Sequence, residues 1–127
     1  MQKRKNRRSK RLGIRGDNLK VNVLGTEYEI IRGVKEESDP KLKDNADGYC
    51  DFTTKKIVIA EMIESEYTVE NLKHYENKVI RHELIHAFLY ESGLDVNSDW
   101  ARNEEVIDWI ALQSEKMFKV FEELEIL

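Results

Sequence analysis

The sequence predicts an α+β domain in which a small antiparallel sheet of three or four strands packs on two long helices. Three observations carry that expectation. Short β-rich runs punctuated by turn residues fill the chain up to about residue 60, the apolar period lengthens to three and four from about Thr68, and the 127 residues suffice for one core but not two.

The elements follow in order. Residues 1–16, MQKRKNRRSKRLGIRG, hold eight Lys/Arg and no acid. Such a stretch buries too little apolar surface to fold alone, so a disordered arm is expected ahead of one domain over residues 17–127. LKVNVLGTEYEIIRGV brings two β-rich runs, around 19–24 and 27–34, separated by Gly25-Thr26, which reads as a hairpin or a bent strand pair. KEESDPKLKDNADG is charged, contains the one proline, Pro40, and ends on Asp47-Gly48; it is a surface loop with room for a helical turn around Lys41 to Asp44. YCDFTTKKIVIA supplies two further extended runs, Tyr49 to Phe52 and Lys56 to Ala60, joined as a second hairpin through Thr53-Thr54-Lys55.

In TVENLKHYENKVIRHELIHAFLYES the residues Leu72, Tyr75, Val79, Ile80, Leu84, Phe88 and Leu89 recur at helical steps, and Gly93 stands where a left-handed C-cap belongs. One helix of about 24 residues is expected. LDVNSDW is a short connection whose Asn97, Ser98 and Asp99 are candidate caps, and Val106, Ile107, Ile110, Phe118 and Phe121 line a second long helix.

Composition narrows the function. Hydrophobic residues at 40% and charged residues at 36% describe a soluble globular protein, and no apolar run approaches the roughly 18 to 20 residues that span a bilayer. No membrane partner is expected. No apolar region of about 7 to 15 residues follows the basic start, so no secretory signal is read and the cytoplasm is the expected compartment. Cys50 is the only cysteine, which excludes an intrachain disulfide framework and a cysteine-built zinc ribbon. Any metal must be held by histidine and carboxylate. The net charge of −4 conceals an asymmetry, because outside residues 1–16 there are 13 basic against 25 acidic side chains. The basic arm either contacts a polyanion such as nucleic acid, docks on an acidic partner, or is a solubilising tail; without aromatic interleaving it supports no sequence-specific contact.

The chemistry concentrates in VIRHELIHAFLYESG, residues 79–93. On a helix His82 and His86 lie about 40° apart around the axis and one turn apart along it, so both imidazoles can reach one ion. Glu83, rotated by about 100°, stands beside such a site, where its carboxylate can take a proton from a water that the ion activates. With three His and seventeen Glu, roughly one chain in a hundred would carry H-E-x-x-H by chance. The uncharged neighbours Leu84, Ile85, Ala87 and Phe88 sharpen the signal, since polar groups on a buried helix need partners. Zinc suits an imidazole–carboxylate site; manganese or iron also fits such ligands.

A catalytic zinc needs a third protein ligand. His74 is about 12 Å along the helix from His82, too far to share an ion. In NEEVIDWIA, residues 103–111, Glu104 and Asp108 share a helix face; Glu104 can complete a His₂Glu site while Asp108 accepts the other ring N–H of a ligand histidine. Glu105 is the competing ligand, and all these acids also suit a solvated helix N-terminus.

VIRHELIHAF resembles the extended zincin signature, and NEEVIDWIA, with Glu104 eighteen residues after His86, resembles the N-E-x-x-x-D segment of gluzincins, the thermolysin-like metallopeptidases. Size, preceding strands and spacing are most similar to the ImmA/IrrE-type metallopeptidases and related short proteins of phages and mobile elements, over about residues 20–115. The resemblance implies a minimal zincin-like fold, His82, His86 and Glu104 as zinc ligands, Glu83 as general base, Asp108 as support for a ligand, and a bacterial host cytoplasm if the chain is phage-encoded. It also implies that Ile57, Val58, Ile59 and Ala60 border the cleft as an unpaired edge strand holding an extended substrate. Asp108 departs from the pattern, which usually has Asn there.

The expected function is hydrolysis of peptide bonds in a protein substrate through a zinc-activated water. The oxyanion needs a donor, for which Tyr90, one turn beyond His86, is the candidate beside Tyr49, His74 and Arg102. The alternative is a non-proteolytic zinc-stabilised regulatory module whose basic arm contacts nucleic acid. Cys50 is expected to be a small buried hydrophobe.

Overall fold

A computed structural model describes residues 18–44, 46–63 and 71–127, so the basic arm and Thr68 to Glu70, the expected start of the first helix, lie outside the described residues. Strands β1 (Asn18–Val23) and β2 (Thr26–Val34) form an antiparallel hairpin. Its two-residue turn is Leu24-Gly25, both at positive φ (52° and 98°), a geometry that matches the strand twist; the Asn22 side chain accepts the Gly25 N–H at 2.8 Å. Strands β3 (Gly48–Asp51) and β4 (Lys56–Ala60) make the second hairpin. The Asp51 carboxylate organises its turn by accepting the N–H groups of Thr53 and Thr54.

The two hairpins join through a parallel pair, β2 with β4, so the sheet is mixed and its order is β1-β2-β4-β3. The reason lies in the crossover. After Val34 the chain passes through two 3-10 turns, Glu36–Ser38 and Pro40–Leu42, steps over one strand position to lay down β3, and returns with β4 in the gap. Those turns replace the single helical turn expected at Lys41 to Asp44. Near the end of β2 a register shift between Ile31 and Val34 accompanies Gly33 at φ 71°, a backbone state that favours glycine.

Ile57, Val58, Ile59 and Ala60 do not form an edge strand, because β4 is hydrogen-bonded on both sides. Burial of Ile57, Val58 and Ile59 together is the mark of an interior strand with both faces covered. The edge beside the helices is β3.

Helix α1 (Leu72–Glu91) is capped by the Asn71 side chain, which accepts the His74 N–H at 3.0 Å, and Gly93 at φ 88° turns the chain away as expected. A four-residue turn, α2 (Leu94–Asn97), and a 3-10 turn over Asp99–Arg102 lead to α3 (Glu104–Glu123). The cap of α3 is Asn103, whose side chain accepts the Val106 N–H at 2.9 Å; Asn97, Ser98 and Asp99 belong to the connection instead.

Val79, Glu83 and Ala87 are the buried residues of α1, one turn apart on a single stripe. Val79 and Ala87 share the core with Val23, Tyr28, Ile30, Ile57 and Ile59 of the sheet, and α3 packs along α1 through buried Ile107 and Ala111. Phe118, placed on the core-facing stripe by its spacing, is half exposed. Gly48 sets the closeness of β3 to α1: a Cβ there would stand 2.8 Å from the Val58 carbonyl oxygen and 3.3 Å from a Val79 methyl. No helix among the described residues is long and apolar enough to cross a membrane.

Candidate metal centre

The connection between α1 and α3 reverses the chain so that the first turn of α3 lies beside the middle of α1. Ala101 is fully buried in it, and the Arg102 guanidinium ties the backbone carbonyl of Asp95 to the Asp99 carboxylate. Three side chains then converge: His82, His86 and Glu104 each offer a ligand atom, all within 4.8 Å of one another. His82 Nε2 is 2.9 Å from Glu104 Oε1, and His86 Nε2 is 3.3 Å from Oε1 and 3.2 Å from Oε2. Bonds of about 2.0–2.1 Å arranged tetrahedrally put ligand atoms roughly 3.3 Å apart, close to the separations of both histidines from Glu104, so these residues could hold a zinc ion. The imidazoles are largely buried, whereas the Glu104 side chain is 70% exposed, leaving one flank open to solvent.

Hydrogen bonding sets the histidine chemistry. Asp108 Oδ1 lies 3.1 Å from His82 Nδ1, and the same oxygen accepts from Lys78 Nζ at 3.1 Å. If Nδ1 carries the proton toward Asp108, the Nε2 lone pair points at the Glu104 carboxylate. Two acceptors 2.9 Å apart repel unless a cation or a proton lies between them. Burial would raise the Asp108 carboxyl, but the bonds from Lys78 and His82 outweigh it and hold it below its usual range.

Glu83 occupies a core position, 8% exposed. Burial pushes its carboxyl up to about 7; the Glu104 carboxylate adds to the rise, while His82 and Lys78 oppose it. Its neighbour across the gap is β3: the Cys50 thiol is pushed up to about 12, first by burial and then by the Glu83 carboxylate. A carboxyl held above its usual range by burial is suited to carrying a proton in either direction.

No family model, curated protein or solved structure matches this chain.

The remaining sequence-derived candidates scatter. Tyr90 stacks flat on Phe52, ring centroids 4.2 Å apart, with Lys55 Nζ 5.0 Å from its ring. The Tyr49 hydroxyl donates to Asp39 Oδ2 at 2.5 Å, and His74 stays in the first turn of α1, two turns from His82. Glu105 takes no part in the His82–His86–Glu104 group. Cys50 packs against the core but is only partly buried, short of the buried position expected. Lys78 is the residue sequence reasoning missed, although its place four residues before His82 put it on the same stripe.

Proposed function

We propose that the chain is a zinc-dependent peptidase in which His82, His86 and Glu104 hold the ion and Glu83 is the general base. The observation that carries this reading is the convergence of three ligand atoms from two helices, with His82 Nε2 facing the Glu104 carboxylate at 2.9 Å. It agrees with the gluzincin-like, ImmA/IrrE-like resemblance of the two motifs. Zinc, when bound, supplies Lewis acidity that polarises a peptide carbonyl and makes water a better acid. Glu83 accepts a proton from the attacking water at its carboxylate and returns it to the leaving amine. Asp108, itself held by Lys78, fixes the ring of His82. In this reading the outer edge of β3, from Gly48 to Asp51, pairs with an extended polypeptide substrate, since β3 lies at the end of the sheet. The proposed setting is the cytoplasm.

A second reading, a zinc-stabilised binding module whose basic arm contacts nucleic acid, is favoured by one observation: the Tyr90 ring, the Tyr49 hydroxyl and the Arg102 guanidinium are all engaged away from the three ligands. Substitution separates the two. Glu83→Gln should keep its zinc and lose cleavage of an unfolded polypeptide; cleavage at the wild-type rate would contradict the peptidase reading.

A further inference from the structure

The outer face of α3 carries a second apolar stripe that the metal centre does not use. Val106, Ile110, Gln113, Met117, Val120 and Leu124 succeed one another at steps of four and three, the spacing of a coiled-coil seam, with Gln113 its one polar member. On a helix these six fall in an arc roughly 80° wide, centred about 180° from Glu104 and Asp108. Val106 (37%), Met117 (39%), Val120 (49%) and the C-cap residue Leu124 (64%) are exposed, whereas Ile110 and Gln113 are partly buried. Among the described residues α3 packs on α1 and on the 3-10 turn before it, and its fully buried residues, Ile107 and Ala111, lie outside this stripe.

We propose that the stripe docks α3 of a second copy of this chain, running antiparallel, with Met117 against Val120 of the second copy and Gln113 against Leu124. Charge selects the occupant and its direction. Lys116 and Glu123 flank the seam on one side, seven residues apart, both exposed and outside every ion pair among the described residues. The antiparallel register brings Lys116 of each copy beside Glu123 of the other, two symmetric pairs around the dyad. A parallel alignment would set Lys116 against Phe121 and run Glu123 past the helix end, pairing neither charge. Gln113, in the outer pair with Leu124, costs some stability and penalises slipped registers. A seam of this length matches the low end of specific interfaces, below about 1,200 Å² in total, so monomer and dimer exchange with concentration. The ligands point away from the seam, and both sites stay open.

Sedimentation velocity of the full chain over a concentration series tests this. The expected result is a reversible monomer–dimer equilibrium that Met117→Asp abolishes while helicity and zinc binding persist. Lys116→Glu or Glu123→Lys alone should weaken the dimer about tenfold, and the double exchange should restore it. A chain that stays monomeric throughout the series, a dimer that survives Met117→Asp, or charge reversals that the double exchange fails to rescue would overturn the proposal. The His82→Ala/His86→Ala chain should dimerise like the wild type, which keeps this test separate from the metal reading.

Discussion

Helix α1 carries two glutamates toward the sheet, eight residues apart, and their surroundings drive them in opposite directions. Glu91 ends the helix in a knot of donors: Lys55 Nζ and the Tyr28 hydroxyl reach Oε2 at 2.8 and 2.6 Å, and the Thr26 hydroxyl reaches Oε1 at 3.0 Å. The bond from Lys55, then that from Tyr28, holds its carboxyl below the usual range against the opposing effect of burial. Glu83 sits between Val79 and Ala87 on the buried stripe, and burial holds its carboxyl above that range. One carboxylate is satisfied and structural. The other is held above its usual range, which suits the proton-carrying role proposed for it.

The largest break in this contrast comes from catalysis. Glu83→Gln should lower peptide cleavage by about 10²–10⁴-fold, whereas Glu91→Gln should leave turnover per folded molecule unchanged in the same assay. Zinc titration by competition with a chromophoric chelator gives the next effect. Glu104→Ala should weaken binding by more than about a hundredfold, Asp108→Ala by about 10–100-fold, and Glu105→Ala hardly at all; equal losses for Glu104 and Glu105 would undo the ligand assignment.

Stability reverses the comparison. In thermal melts of the metal-free protein near neutral pH, Glu83→Gln should raise the midpoint by removing a buried carboxyl, and Glu91→Gln should lower it by weakening the knot. The acid limb gives a finer test. Glu91's folded pKa lies below its unfolded value, so its contribution is present above the ordinary carboxylate pKa and fades as pH falls through the depressed one; Glu91→Gln should flatten that part of the stability–pH curve. The smallest change concerns spacing. Gly48→Ala must shift β3 away from Val58 and Val79, costing about 1–3 kcal/mol in denaturant melts while zinc affinity stays within a few-fold.

Much of this was legible in the sequence, for identifiable reasons. Spacing alone placed His82, His86 and Glu83 around one helix, and Glu104 and Asp108 on one face of another, because helical geometry turns sequence distance into angle. Strand order was not legible, since period-two patterning says which face of a strand is buried and nothing about its neighbours. A signal was nonetheless present in KIVIA, whose unbroken apolar run suits an interior strand better than an edge. Lys78 was hidden because its partner, Asp108, is thirty residues away on another helix.

His82 Nε2 and the Glu104 carboxylate face one another at 2.9 Å, and the proposed zinc ion lies between them. Metal analysis of the purified 127-residue chain, with nitrogen-detected NMR of its imidazoles, tests this most directly. The expected result is one equivalent of zinc, lost in His82→Ala, with Nδ1 of His82 protonated toward Asp108 and Nε2 without a proton. A chain that takes up no zinc and shows His82 protonated on both nitrogens, ion-paired to Glu104 and Asp108, would contradict it.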